Sequence, residues 1–167
     1  MLERLWNGWR ATYESTAATD DDPDDHRSVF TKILASGLPD DETHVVHRGQ
    51  HCFAILNAYP YATGHTLVLP YREVAALEEL SVEETAELWA TTTDAVRALK
   101  AAYRPEGLNV GINLGRPAGG SVSQHLHVHV VPRWTGDANF MTAVANTRTL
   151  PESLPDTAAK VRAHWTA

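Results

Sequence analysis

The stretch SQHLHVHVVPRWTGDANF, residues 123–140, decides how the rest of the chain is read. His125, His127 and His129 fall on alternate positions, with Leu126, Val128 and Val130 between them. Side chains on a strand alternate faces, so residues i, i+2 and i+4 point the same way. The spacing predicts a strand, HLHVHVVP, whose imidazoles line one face while the aliphatic set packs into a core on the other. A strand anchored in this way turns its histidines towards a site.

Three chemistries fit such a row. Zinc is the first, because a His-x-His pair on a strand is a good ligand pair. At ~3.3 Å per residue the outer two Cα atoms lie roughly 13 Å apart, so three rings on one ion would have to lean inward. A zinc site would use two of them with His65 or an acidic residue from elsewhere, and the strand itself offers no cysteine or carboxylate. The second chemistry is nucleophilic. A neutral imidazole attacks phosphorus, and a histidine phosphoramidate divides one hard displacement into two. Neighbouring rings then donate hydrogen bonds to oxygens where charge builds up. The third reading is structural, three rings merely satisfied by hydrogen bonds; three in register beside a Gly-Gly-Ser loop argue against it.

Outward from the histidines, RPAGGSVSQ is a small-residue loop and LNVGINLG reads as a fourth strand. THVVHRGQHCFAILN reads as two strands turned at Arg48-Gly49-Gln50, and HTLVLP as a third. EVAALEEL is a short helical piece. Ser81 and Glu84 then form a capping box, the start of a helix predicted to run to about Tyr103 with Leu88, Trp89, Val96 and Leu99 on its buried side. Arg104-Pro105-Glu106-Gly107 stops it, and a last helix is expected from about Glu152 to Trp165. Near the start, Leu2, Leu5, Trp6, Trp9 and Tyr13 have helical spacing. The acidic run DDDPDDH, Asp20 to His26, follows and reads as a solvated linker. Strands in clusters with helices around them predict an α+β fold, with a mostly antiparallel sheet of about five strands, one long helix and several short ones.

The 167 residues suffice for one domain with a real core. The expected division is an N-terminal helical extension over 1–42 with an acidic linker at 20–25, a core over 43–134 and a C-terminal extension over 135–167. A net charge of −7 argues against a general nucleic-acid binder. It leaves a small phosphorylated substrate open, because a few local groups set the field of a site. No apolar run approaches the ~18 residues of a membrane span. The amphipathic N-terminus shows no small-residue cleavage site, so no secretory signal is expected. One cysteine, Cys52, excludes an internal disulfide and fits a reducing cytoplasm.

The segment His125-Leu126-His127-Val128-His129-Val130-Val131 resembles the signature of the histidine triad (HIT) superfamily. FAILNAYPYATGHTLVLPYR, residues 53–72, looks like that family's second conserved block, and NVGINLG with AGGS looks like the block that supplies phosphate contacts. The resemblance implies a HIT fold and a site for nucleoside phosphates. It also implies that His127 is the nucleophile on an α-phosphorus, with His125 and His129 stabilising phosphoryl or leaving oxygens. By the same resemblance Asn57 lies near the ribose, His65 supports the triad, and Asn113, Gly120 and Ser121 surround the phosphate. The extension VVPRWTGDANFM and the N-terminal LERLWNGWRATY are similar to the bacterial HIT-type diadenosine-tetraphosphate phosphorylases, which adds Trp134 as a nucleotide contact. The loop from Gly119 to Gln124 departs from the wider pattern, with one more residue and no glutamine at the usual place.

The implied reaction starts from a dinucleoside polyphosphate and passes through AMP-histidine to inorganic phosphate, giving ADP, or to water, giving AMP. A phosphoramidate hydrolase and a nucleotide sensor without turnover are the rivals. No cofactor or catalytic metal is required, although Mg2+ could accompany the polyphosphate. The expected partners are adenine nucleotides, inorganic phosphate and a second copy of the chain, a homodimer or a higher homo-oligomer, with no nucleic acid and no membrane.

Overall fold

A computed structural model describes residues 25–137 and 152–166; the helix expected at 2–15, and most of the acidic run, lie outside them. One antiparallel sheet organises the chain. Its strands are β1 (Val45–Arg48), β2 (Cys52–Leu56), β3 (Thr66–Pro70), β4 (Gly107–Ile112) and β5 (Val128–Arg133), in the spatial order β1-β2-β3-β5-β4. The helices are α1 (Val29–Ala35), α2 (Asp40–Thr43), α3 (Val82–Tyr103) and α4 (Leu154–Ala163). The fold is α+β, and among the described residues no helix is long and apolar enough to cross a membrane.

The inner strands are buried on both faces, and the strand pattern divides the sheet between two cores. Ala54, Leu56, Val68, Leu126, Val128 and Val130 pack on the face covered by Leu88, Ala95 and Leu99 of α3 and by Val161 of α4. Phe53, Ile55, Leu67 and Leu69 point the other way, towards Phe30 and Ile33 of α1. The alternation expected of Leu126, Val128 and Val130 is met in full. The hydrogen-bonded part of the last strand nevertheless starts at Val128, so His125 and His127 lie in the extended segment just before it.

The Ser81 hydroxyl accepts from the Glu84 amide (3.1 Å), and the Glu84 carboxylate accepts from the Ser81 amide (2.8 Å), closing the expected box at the start of α3. Arg72, just after β3, grips the same carboxylate in a bidentate pair (2.9 and 2.7 Å) and, with the box, holds Glu84 down at about 2. The helix ends at Tyr103, where Arg104 turns left-handed before Pro105. Trp89 corrects one expectation: it is 45 % exposed. Each residue turns the helix by a little more than a quarter of a turn, so the stripe Leu88, Ala95, Leu99 faces the sheet and Trp89 flanks it. EVAALEEL forms only a single 3-10 turn, Leu77–Glu79.

Candidate active site

The sheet register lays out the floor of the site. Ile55 pairs with Leu67, Leu67 with His129 and His129 with Gly111, so these four stand side by side on one face. The row is apolar up to His129 and then bare, because Gly111 has no side chain to fill the space beside the imidazole. α1 roofs this floor. Phe30 sets its ring edge-on to His125 (5.6 Å between centroids, 87°) and tilted against His127 (5.4 Å). Between roof and floor lies a cavity of about 510 Å³, walled by Val29, Phe30, Ile33, Ile55 and Leu67 and reached by Asn57, Ser121, His127 and His129. A mostly apolar cleft with a few convergent polar groups is the usual form of a small-molecule site.

The partners of each ring settle where its protons sit. His127 Nδ1 lies 2.7 Å from the His125 carbonyl oxygen, which can only accept. Nδ1 therefore carries the hydrogen, and in the neutral ring Nε2 keeps its lone pair. His65 Nδ1 accepts from the Tyr61 amide (3.0 Å), so its Nε2–H donates to His129 Nδ1 (2.9 Å). His129 is left with its own hydrogen on Nε2, 3.4 Å from the Asn113 side-chain amide. One ring thus offers a lone pair and its neighbour offers a proton, with centroids 4.9 Å apart. Burial lowers the pKa of His127 and, to the same end, that of His125.

His125 departs from its expected place. Its Nε2 donates to the Pro70 carbonyl (2.8 Å) and its Nδ1 meets the Ser28 hydroxyl (2.7 Å), so both nitrogens are committed within the protein. It is fully buried and stands behind the cavity rather than in it. Gly120 departs too: its amide donates to the Gly115 carbonyl (3.3 Å), and a Cβ there would meet Gly115 and Asn113 oxygens at 3.2 and 3.3 Å. The glycine serves close backbone approach, while Gly119, at φ +100°, makes the left-handed turn that brings Ser121 to the cavity. Asn57 reaches the cavity wall and also touches His65 (Nδ2 to Nδ1, 3.3 Å). Trp134 is not brought to the site within the chain. It lies five residues beyond His129, about 16 Å along the strand, with its ring edge-on to Tyr103.

Several site residues had no signal in the sequence reading. Phe30, Ile33 and Ser28 fell within the expected extension, and Glu73 opened the short helical piece EVAALEEL. His44, which ends the short helix α2, also lines the cavity. Asp137 holds Arg133 in a bidentate pair (2.6 and 2.7 Å) and caps the Trp134 amide, a turn-forming role. Among the described residues no group of three His, Cys, Asp or Glu side chains is placed to hold a metal ion. The described residues thus offer no zinc set.

Residues 39–136 match the HIT domain family. The chain belongs to that family. Over 168 aligned residues it is 47% identical to an AP-4-A phosphorylase of Mycobacterium tuberculosis, covering 99% of this chain and 85% of that protein. A bis(5'-adenosyl)-triphosphatase of Saccharomyces cerevisiae is 34% identical over 106 residues, covering 63% of this chain and 48% of the yeast protein. Among solved structures, a zinc-bound histidine triad family protein from Mycobacterium smegmatis superposes with a TM-score of 0.67 at 27% identity, covering 83% of this chain and 92% of that one.

Proposed function

We propose that the protein is a nucleotidyltransferase acting on diadenosine tetraphosphate, with inorganic phosphate as the acceptor. The observation that carries this reading is the state of His127: a buried ring whose pKa burial lowers, Nδ1–H held by the His125 carbonyl and the Nε2 lone pair left without a hydrogen bond among the described residues, at the wall of a cavity that fits a nucleoside. The similarity to an AP-4-A phosphorylase over nearly the whole chain supports the choice of substrate.

The adenine enters between Phe30 and Ile33 above and Ile55 and Leu67 below, and Asn57 meets the ribose. His127 Nε2 bonds to the α-phosphorus as the bond to the bridging oxygen breaks, its electron pair leaving with ATP. His129 Nε2–H and the Asn113 amide stand ready for the leaving or non-bridging oxygens, with Ser121 across the cavity. A phosphate oxygen then attacks the same phosphorus, the P–N bond breaks, its pair returns to Nε2, and ADP departs. Diadenosine tetraphosphate plus phosphate thus become ADP plus ATP. His125 acts from behind, through its carbonyl, and Mg2+ travels with the polyphosphate. β4 is one edge of the sheet, with Val110 on it and Leu114 just beyond it exposed, and we place the contact between two copies of the chain there. One buried cysteine, whose thiol burial pushes up to about 12, fits a cytoplasmic protein.

The test is incubation with diadenosine tetraphosphate with and without phosphate, followed by anion-exchange separation. ADP and ATP should form only when phosphate is present. ATP and AMP in both conditions would replace phosphorolysis by hydrolysis.

A pH profile tests the nucleophile separately. Attack needs the lone pair, and burial keeps His127 neutral to lower pH than an ordinary histidine at 6.5. The acid limb of kcat/KM should therefore have its midpoint below 6.5, and a midpoint at or above that value would contradict the assignment. The same shifts should make the fold lose stability as pH falls below 6.5. There the unfolded chain binds protons that His125 and His127 do not take up when buried.

A further inference from the structure

Behind the triad, on the side away from the cavity, lies a polar cluster that the reaction above does not use. Ser28, fully buried, is the N-cap of α1, and its hydroxyl accepts from the Thr31 amide (3.1 Å) while contacting His125 Nδ1 (2.7 Å). The Glu73 carboxylate clamps this cap from outside. It accepts from the Ser28 amide (2.9 and 3.1 Å) and from the Thr31 hydroxyl (2.6 Å). Glu73 belongs to the corner after β3 that also holds the histidine segment directly, through the Pro70 carbonyl on His125 Nε2 and the Val74 carbonyl on the Leu126 amide (2.7 Å). A buried polar group left unmatched costs about 1–3 kcal/mol, so a cluster in which every member is matched resists rearrangement.

We propose that Ser28, Thr31 and Glu73 are positioning residues for the nucleophile, acting through the ring and carbonyl of His125; the inference rests on His127 being that nucleophile. The links run in one direction. Glu73 fixes the cap turn, the turn aims the Ser28 hydroxyl, and the hydroxyl with Pro70 locks the His125 ring at both nitrogens. The locked residue then presents its carbonyl to His127 Nδ1. A His125 ring cut loose from these anchors would let its backbone segment, and with it that carbonyl, shift, and His127 would then exchange its proton between nitrogens and spend part of its time without a lone pair on Nε2.

The geometry also tolerates a change in charge. With His125 neutral, the Ser28 proton points to Nδ1 and the Thr31 proton to Glu73. With His125 protonated, Nδ1–H can donate to Ser28, Ser28 to Thr31 (Oγ to Oγ1, 3.0 Å) and Thr31 to Glu73. The same heavy-atom positions serve both states, so the carbonyl keeps its place whichever charge the ring carries. α1 is also the roof of the cavity, so the cluster joins the wall that receives the nucleoside to the ring that attacks it.

The test uses the full chain and two readouts: steady-state kinetics with diadenosine tetraphosphate and phosphate, and nuclear magnetic resonance of 15N-labelled histidine rings, which reports each tautomer without turnover. Ser28→Ala breaks the link at His125, and Glu73→Gln loosens the clamp from a distance. Thr31→Val removes one hydroxyl at nearly constant volume, and Thr31→Ser puts it back. In the wild type His127 should show one tautomer, protonated at Nδ1. In Ser28→Ala, Glu73→Gln and Thr31→Val its two nitrogens should become partly averaged. kcat should fall by about 10- to 100-fold, as expected of a misaimed reacting group, with little change in KM. Thr31→Ser should restore most of the rate and the single tautomer.

Unchanged His127 signals in the impaired variants, a Thr31→Ser as impaired as Thr31→Val, or wild-type kcat throughout would each overturn the proposal. If Ser28→Ala does not fold, Glu73→Gln and the Thr31 pair carry the test. A wild type that leaves diadenosine tetraphosphate intact would refute the substrate assignment alone, and the ring signals would then decide this inference.

Discussion

His127→Ala should abolish nucleotidyl transfer, lowering kcat by roughly 10⁴–10⁶-fold, the range seen when a covalent nucleophile is removed. In the proposed reaction alanine deletes the lone pair that forms the P–N bond, and neither of the other two triad rings can take its place. His129 carries its hydrogen on the nitrogen nearer Asn113, and His125 has both nitrogens tied to Pro70 and Ser28. A water molecule attacking directly would have to displace ATP in one step, without the intermediate that divides the barrier. The fold should survive. His127 contributes a small, nearly buried ring beside Phe30, and its loss leaves one buried acceptor, the His125 carbonyl, without its partner, at a cost of about 1–3 kcal/mol. Two measurements separate chemistry from folding. Wild-type protein mixed with substrate in the absence of phosphate should carry an adenylyl group on the peptide containing residue 127, and the variant should carry none. Nucleotide binding by the variant, followed by calorimetry, should persist, because the apolar walls are intact. Residual turnover within tenfold of the wild type would remove His127 from the role.

The alternation of His125 to Val130 could be read directly because strand geometry is local: every second side chain shares a face whatever lies around it. The same locality exposed the capping box at Ser81 and the end of α3 at Arg104. What alternation cannot convey is depth. It put three histidines on one face as equals, yet the carbonyl at the end of β3 and the cap of α1 take up both nitrogens of His125 and leave only His127 and His129 at the cavity. The decisive contact joins residues 97 apart in sequence, Ser28 and His125, and no periodicity encodes it. The roof escaped notice for a related reason. α1 has seven residues, too few for a repeating apolar stripe, and only Phe30 is buried by its own chain. Val29 and Ile33 face a cavity that exists only after folding. Trp134 could be read as an adenine contact through resemblance to relatives, but five residues of extended chain carry it away from His129.

His129→Ala should lower kcat by about 10²–10³-fold, the usual cost of losing a positioned proton donor, and the loss should depend on the leaving group. The Tyr61 amide donates to His65 and His65 donates to His129 Nδ1, so in the neutral form of the His129 ring the N–H is the one at Nε2. Each donor in this series is fixed by the one before it, so the direction of the last N–H is set before substrate arrives. Tyr61 reinforces the setting by stacking on His129 (5.8 Å between centroids, 18°). The bare strand position at Gly111 leaves room beside that N–H for an oxygen. If the oxygen is the one departing with ATP, an AMP ester of p-nitrophenol, whose leaving group needs no proton, should react with His129→Ala nearly as fast as with the wild type. Diadenosine tetraphosphate should remain slow. Equal losses on the two substrates would assign the donor to the non-bridging oxygens, where charge builds up whatever group departs. His65→Ala should then show the same substrate pattern in weaker form, because His129 keeps its ring but loses the partner that fixes its tautomer. The comparison separates proton donation from simple packing, since a ring that only filled space would slow both substrates alike and His65→Ala would follow neither pattern.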